Sequence, residues 1–178
     1  PAVAILGPRQ AGKSTTAKML LKDIPSVYLD LQDRVDRNKL SEPELFFDRY
    51  RDKVICLDEI QLLPEFFSIL RSEIDKDRRP GRFLILGSAS RDLIKQSTES
   101  LAGRIAYIDL TPFIINEVAN ISRWSDIWLR GGFPESILAK NDMDSFDWRL
   151  DFIRTFMERD IPNLGFNIPV PIIERLWL

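Results

Sequence analysis

Residues 7–15, with the sequence GPRQAGKST, constrain the fold of this chain more than any other stretch. They fit the pattern G-x-x-x-x-G-K-[ST], in which successive backbone N–H groups form a cradle for phosphate. The apolar residues 2–6 before the pattern predict a buried strand, and residues 16–22 after it predict a helix. A strand, this loop and a helix in that order indicate a phosphate-binding loop rather than a glycine-rich turn that happens to precede Lys-Ser.

The chemistry of the loop gives several of its residues a role. We expect Gly7 and Gly12 to allow a positive φ and a close approach of the backbone to an anion. Lys13 would reach the β- and γ-phosphate oxygens, Ser14 would ligate Mg²⁺, and Thr15 would donate to the α-phosphate. The residues expected to bind nucleotide are therefore those of the whole loop: Gly7, Pro8, Arg9, Gln10, Ala11, Gly12, Lys13, Ser14 and Thr15.

A second motif follows another predicted buried strand. Residues 54–57 (VICL) end in Asp58 and Glu59. At the carboxyl end of a strand beside the loop, Asp58 would lie next to Ser14 and hold a metal-bound water. Glu59 would then accept a proton from the attacking water as a general base. The alternative is that the acidic pair only caps the helix that follows.

Two polar residues at other strand ends are further candidates. Ser88 follows the strand predicted at residues 83–86, and it could contact the γ-phosphate, orient water or simply lie in a strand-to-helix turn. Arg104 precedes the strand predicted at residues 105–110 and could complete a neighbour's site as a catalytic arginine in an oligomer. An ion pair that holds its loop is the alternative for Arg104, and Arg91 is a weaker candidate for the same catalytic role.

The composition removes several classes of site. The chain has no histidine, which excludes serine–histidine and cysteine–histidine catalysis as well as histidine-ligated metals. The single cysteine, Cys56, leaves no internal disulfide framework and favours a reducing, cytoplasmic environment. A formal net charge of −2 gives no support to a nucleic-acid partner, which stays open, and no apolar run has the length of a membrane span. We therefore expect no membrane association.

The remaining pattern alternates strands and helices and then becomes helical. Residues 27–29 predict a strand, residues 30–39 a polar loop, and residues 62–76 an amphipathic helix. From residue 112 onward, turns separate helical patterns, which predicts a small helical subdomain after a core of residues 1–111. The large aromatic side chains expected to form the core of that subdomain are Trp124, Trp128, Trp148, Phe152 and Phe156.

Several segments in a fixed order resemble a known family. Together they resemble the archaeal and bacterial AAA-like (AAA+) ATPases, and the resemblance covers nearly the whole chain. The first two segments occur in many ATPases, as Walker A and Walker B motifs, whereas the others make the resemblance specific. The segments are residues 7–15, VICLDEIQ at 54–61, FLILGS at 83–88, SLAGR at 100–104, GGFPE at 131–135 and ERDIP at 158–162.

The resemblance implies a fold and a division into domains. It implies an α/β fold of three layers, α/β/α, around a five-stranded parallel sheet in the order 5-1-4-3-2, with a small helical lid. The lid would span residues 112–162. Residues 163–178 would begin a linker to a C-terminal domain that lies outside this chain, as relatives of this type typically carry one.

The resemblance also implies roles for individual residues. By motif it assigns Lys13, Ser14 and Thr15 to nucleotide and metal, Asp58 and Glu59 to hydrolysis, and Ser88 to the first sensor. Residues 132–134 are similar to a G-x-P element whose proline lies near the adenine, which implies that Pro134 contacts the nucleotide. No arginine clearly matches a second sensor, although Arg130 lies nearby in sequence.

The expected activity is Mg²⁺-dependent binding and hydrolysis of ATP that moves the lid and an attached domain. The expected partners are ATP and ADP, the chain's own C-terminal domain and possible further copies of the chain. Two alternatives stay open: a nucleotide-gated interaction module of the defence or toxin–antitoxin type with little turnover, and a small-molecule kinase built on the same loop.

Overall fold

Five short runs of largely apolar residues form one parallel sheet, in a computed structural model that describes residues 1–88, 99–163, 165 and 168–177. Near-continuous apolar sequence is typical of parallel strands, because helices cover both of their faces. The order β2-β3-β4-β1-β5 confirms the predicted order 5-1-4-3-2. The strands are β1 (Ala2–Gly7), β2 (Ser26–Asp30), β3 (Val54–Asp58), β4 (Phe83–Ser88) and β5 (Ile105–Asp109).

Helices cover both faces of this sheet, so the three-layer α/β/α prediction is also confirmed. On one face Ala17 and Leu21 pack against Cys56 and Leu86. On the other face a larger cluster joins the sheet to Phe47 and to the buried residues of the longest helix in this part of the chain. The helices are α1 (Lys13–Leu20), α2 (Arg34–Lys39), α3 (Pro43–Arg49) and α4 (Phe66–Lys76), with a 3₁₀ turn at Ile60–Leu62.

The polar stretch 30–39 was predicted as a loop, and this prediction is wrong for its second half, which forms α2. The side chain of Asp33 caps this helix by accepting a hydrogen bond from the backbone N–H of Val35 over 2.8 Å. None of the residues of α2 is buried. The helix therefore has no apolar period from which it could have been predicted.

Contacts divide the chain into two units, Pro1–Thr111 and Pro112–Leu178. The second unit is helical through most of the residues described, apart from short connections. None of the described helices is long and apolar enough to cross a membrane. Its helices are α5 (Ile115–Val118), α6 (Trp124–Arg130), α7 (Pro134–Ile137), α8 (Asp142–Thr155), α9 (Ile161–Asn163) and α10 (Val170–Trp177), with a π-helical turn at Phe156–Asp160 between α8 and α9.

The aromatic residues of the second unit do not all form a core. Trp124 and Trp128 are 77% and 87% exposed, so the expectation that they are core residues is wrong. The rings of Trp148 and Phe152 do stack, with centroids 5.1 Å apart, and Phe133 lies 4.7 Å from Phe152. Helical spacing identifies residues on one face of a helix, but it does not say what covers that face.

Candidate nucleotide-binding site

The glycine-rich loop connects β1 to α1 at the carboxyl edge of the sheet. Gly12 caps α1 with φ 95° and ψ 12°, which confirms its predicted positive φ. Gln10 also has a positive φ, of 61°, although it is not glycine. Left-handed residues beside right-handed ones form the concave arrangement of N–H groups that binds anions, and α1 adds the positive end of its dipole.

Gly7 is required for a different reason from the one predicted. It is not among the described glycines with positive φ, so the expectation of an unusual φ at Gly7 is wrong. A Cβ at this position would instead lie 2.1 Å from the carbonyl oxygen of Leu110. The chain after β5 approaches the start of the loop so closely that no side chain fits there.

The side chain of Lys13 is held against the first two residues of the loop. Its ammonium donates hydrogen bonds to the carbonyl oxygens of Gly7, over 3.0 Å, and Pro8, over 2.7 Å. Lys13 is only 7% exposed. Burial lowers the pKa of Lys13, and the charges of Glu59 and Asp58 oppose this shift. A cation is thus buried within the anion cradle, close to two carboxylates.

Ser14 and Asp58 meet beside that cation. The hydroxyl of Ser14, in the first turn of α1, donates to Oδ2 of Asp58 over 2.6 Å. Asp58 is the last residue of β3 and is 4% exposed. Its other oxygen, Oδ1, accepts a hydrogen bond from the backbone N–H of Glu59 over 2.9 Å. A hydroxyl and a carboxylate are hard oxygen ligands of the kind Mg²⁺ takes alongside phosphate oxygens, so these residues fit the ion.

Tyr28 also reaches Asp58, and the sequence did not single it out. Its hydroxyl donates to Oδ2, the same oxygen that Ser14 contacts. Burial raises the pKa of Tyr28, and the hydrogen bond to Asp58 raises it further. In the sheet Tyr28 pairs with Cys56, two residues before Asp58, so all three side chains project to one face. The sequence did contain a signal that could have identified Tyr28: it lies in the strand predicted at residues 27–29, and the predicted strand order places that strand next to the one that ends in Asp58.

Glu59 follows in an uncommon conformation. Its φ of 58° and ψ of 44° are left-handed, which is rare for a residue other than glycine, asparagine or aspartate. The carboxylate accepts a hydrogen bond from the side-chain N–H of Gln61, whose own amide oxygen is buried without a partner. Strained backbone of this kind occurs preferentially at functional sites. The bend turns the chain from β3 directly into the 3₁₀ turn.

Ser88 lies at the same edge of the sheet. It is the last residue of β4, and it pairs with Gly7, the first residue of the loop. Because β4 lies between β1 and β3, Ser88 ends the strand between the two motif strands. The carboxyl ends of these three strands therefore bring the loop, Ser88 and Asp58 to one edge of the sheet.

Arg104 lies at the opposite edge of the sheet. Its carbonyl oxygen accepts from the N–H of Ala2, at the start of β1, roughly 16 Å of strand before Gly7 at about 3.3 Å a residue. Its guanidinium donates to both carboxylate oxygens of Asp75, over 2.8 and 2.9 Å. This contact is an ion pair of the kind predicted as the alternative to a catalytic role for Arg104. A role at a neighbour's site stays a prediction, and Arg91 lies outside the described residues.

Pro134, which was predicted to contact the nucleotide, and Arg130, to which no role was assigned, belong to the second unit. Pro134 is the first residue of α7, where a proline's missing N–H is not needed. A Cβ on the nearby Gly132 would lie 2.2 Å from the carbonyl oxygen of Phe113, which explains a glycine there. Arg130 donates to Asp142 over 2.7 Å and to the carbonyl oxygen of Ala139 over 2.8 Å, contacts that tie α6 to the start of α8.

Comparisons with known proteins show what this chain is similar to. Uncharacterized proteins of Mycobacterium bovis and of Mycobacterium tuberculosis are each 41% identical to this chain over 177 residues, 99% of the chain. The match covers 40% of each relative, so the chain spans two fifths of their length. The solved structure of the Walker-type ATPase PABY2304 of Pyrococcus abyssi is similar with a TM-score of 0.59, over 93% of this chain and 71% of that one. At 16% identity, this likeness shows a shared fold.

Family models divide the chain close to the boundary between the two units. Residues 121–178 match a domain of unknown function. Residues 1–119 match an AAA domain, and they contain the glycine-rich loop, the acidic pair and all five strands. Since this match covers more than half of the 178 residues, the chain belongs to the AAA domain family, a family of P-loop ATPase type.

Proposed function

We propose that this chain binds Mg²⁺·ATP at its glycine-rich loop and hydrolyses it. The observation that carries the proposal is the 2.6 Å hydrogen bond between Ser14 and Asp58, beside the buried ammonium of Lys13. An anion cradle, a cation and two hard oxygen ligands occupy one edge of the sheet. That combination matches the terminal phosphates of a metal-bound nucleotide better than it matches any neutral ligand.

The binding residues have separate tasks. Residues 7–15, apart from Pro8, which has no N–H, supply N–H groups to the phosphates, with Thr15 toward the α-phosphate. Lys13 exchanges its two carbonyl partners for β- and γ-phosphate oxygens. Ser14 would ligate Mg²⁺ with its hydroxyl, and the carboxylate of Asp58 would hold a water bound to the ion. When bound, Mg²⁺ neutralises charge on the phosphate oxygens during transfer.

Hydrolysis requires a base and oriented water. Glu59 accepts the proton of the attacking water, which requires its carboxylate to leave Gln61. Ser88, at the end of the strand next to the loop, contacts the γ-phosphate or the attacking water. Two observations support this role: the backbone of Glu59 has the strained, left-handed conformation that is common at functional sites, and the charge of Glu59 acts on the ammonium of Lys13.

Adenine as the base, and a contact from Pro134, are proposed from the family resemblance. No N-K-x-D motif for guanine follows the fourth strand. We further propose that the nucleotide state moves the second unit and a further domain. The greater length of the two mycobacterial relatives supports a further domain as a partner. A catalytic role for Arg104 is proposed only between copies of the chain, given its place at the far edge of the sheet. A cytoplasmic location is consistent with the single reduced, buried Cys56.

The test is phosphate release from ATP by wild type and Glu59→Gln. The variant keeps the size and polarity of the side chain but removes the base, so turnover should fall about 100-fold or more. The dissociation constant for ATP should stay within about twofold, since the cradle is untouched. Glu65→Gln is the matched control, because it makes the same change at an exposed glutamate of the same unit. Wild-type turnover in Glu59→Gln would remove Glu59 from the mechanism.

A further inference from the structure

The carboxylate of Asp58 accepts hydrogen bonds from three donors. Oδ1 accepts from the N–H of Glu59, and Oδ2 accepts from two hydroxyls, those of Ser14 and Tyr28. The side chain is 4% exposed, so solvent does not hold it in place. Three donors from three different segments of the chain therefore fix its orientation.

Of these three donors, only Tyr28 is explained neither by the loop motif nor by its place in sequence next to Asp58. The N–H of Glu59 follows from its place next to Asp58, and Ser14 belongs to the loop motif. Tyr28 lies in β2, thirty residues from Asp58 along the sequence, and the parallel register of β2 and β3 brings the two together. Its position beside Asp58 depends on the sheet and not on local sequence.

The ring of Tyr28 is itself held in place. It packs against the cluster formed by α1 and the sheet, which includes Ala17 and Cys56. The ammonium of Lys18 lies 4.9 Å from the ring centroid. Lys18 is one turn along α1 from Ser14, so the same helix presents one residue to the ring and the other to the carboxylate. These contacts restrain the ring in the position from which its hydroxyl donates to Oδ2.

We propose that Tyr28 is a positioning residue for the magnesium site, whose hydroxyl keeps the carboxylate of Asp58 facing the hydroxyl of Ser14. This inference rests on the proposed function. Without the Tyr28 hydroxyl, Oδ2 would lose a donor and the carboxylate would gain freedom to rotate toward the nearby buried ammonium of Lys13. Groups that hold a metal ligand typically account for ten- to hundredfold in metal affinity when removed.

The experiment measures binding of a fluorescent ATP analogue to the 178-residue chain while MgCl₂ is titrated, and again in EDTA. In Tyr28→Phe, the Mg²⁺ concentration that gives half of the gain in nucleotide affinity should rise about tenfold. Affinity in EDTA should stay within about twofold, because the loop is unchanged. Tyr50→Phe is the control, since it removes a hydroxyl from a tyrosine that packs on Phe46 at the end of α3. That variant should titrate like wild type.

Each other outcome has a distinct meaning. An unchanged Mg²⁺ midpoint in Tyr28→Phe, with a normal midpoint in wild type, would overturn this inference and leave the proposed function standing. An equal loss of affinity with and without Mg²⁺ would also overturn it, because Tyr28 would then support the fold in general. Wild type with no gain from Mg²⁺ would overturn the proposed function and this inference together.

A double-mutant cycle checks that Tyr28 acts through Asp58. In the Asp58→Asn background, Tyr28→Phe should change the ATP affinity measured in saturating MgCl₂ by less than about twofold, since its partner is no longer a carboxylate. A further tenfold loss of ATP affinity in that background would show that Tyr28 acts independently, and would overturn the inference.

Discussion

The hydroxyl of Ser14 lies 2.6 Å from Oδ2 of Asp58, although the two residues are 44 positions apart in sequence. Ser14 is fixed by the first turn of α1 and Asp58 by the end of β3. The strand order places both at the carboxyl edge of the sheet, because only β4 lies between β3 and β1, the strand that leads through the loop into α1. A hydroxyl that already faces a buried carboxylate requires little rearrangement to share a magnesium ion with it.

The close approach of Leu110 to Gly7 predicts a large effect of one methyl group. Gly7→Ala would place Cβ 2.1 Å from the carbonyl oxygen of Leu110, so the loop or the end of β5 must move. We expect the free energy of unfolding to fall by about 3 kcal/mol, the upper end of overpacking penalties. Urea denaturation measures this.

Gly81→Ala is the matched control for that change. A Cβ on Gly81 meets nothing within 4 Å, and its φ of 73° makes the substitution only mildly strained, by about 1 kcal/mol. Equal losses in the two variants would show that the contact with Leu110 does not explain the glycine at position 7.

Glu73 in α4 and Arg82, directly before β4, form a buried ion pair. Their side chains are each 2% exposed and 3.1 Å apart, and Arg82 also donates to the carbonyl oxygens of Glu73 and Phe47. Glu73→Gln would leave the guanidinium buried without its counter-charge, which should lower the free energy of unfolding by about 3 kcal/mol.

A surface pair provides the comparison. Asp75→Asn removes the charge that Asp75, which is 37% exposed, presents to two arginines, Arg104 (22% exposed) and Arg78 (71% exposed). Because water can replace that interaction, its loss should shift the denaturation midpoint far less than Glu73→Gln does. A midpoint that falls equally in both variants would mean that burial adds nothing to the Glu73–Arg82 pair.

The buried thiol of Cys56 should lower the stability of the chain as the pH rises through the alkaline range. Burial raises the pKa of its thiol from 9.0 to about 12, and the charge of Asp58 adds to the shift. Between these values the folded thiol keeps a proton that the unfolded thiol has lost, so stability falls as pH rises above 9. From pH 8 to pH 10, wild type should lose about 1.4 kcal/mol more than Cys56→Ala. Denaturation curves of the two proteins with the same pH dependence would contradict this.

The sheet was predictable because its constraints are local in sequence. A strand that is buried on both faces must be apolar throughout, and a phosphate loop must follow such a strand, so β1, β3 and β4 are visible as apolar runs. The strand order came from resemblance to a family, because apolar runs do not say which strands are neighbours. Helix α2 escaped prediction since it buries no residue.

Only those residues of the candidate site that belong to sequence motifs could be predicted. The loop and Asp58 are motif residues, and the structure brings them together. Tyr28 contacts Asp58 only because β2 lies next to β3, and the reason for Gly7 is a carbonyl more than 100 residues away in sequence. Such contacts depend on the assembled sheet. The exposed Trp124 and Trp128 illustrate the same limit, because periodicity alone cannot show which surface covers them.

The most direct measurement is equilibrium binding of ATP, with Mg²⁺ and in EDTA, to wild type, Asp58→Asn and the exposed-site control Asp23→Asn. We predict that Mg²⁺ tightens ATP binding about tenfold or more in wild type and in Asp23→Asn, as expected when a second-sphere metal ligand is intact. In Asp58→Asn that gain should disappear while binding in EDTA is kept. Full Mg²⁺ dependence in Asp58→Asn, or no ATP binding by wild type, would contradict a metal–triphosphate site between Ser14 and Asp58.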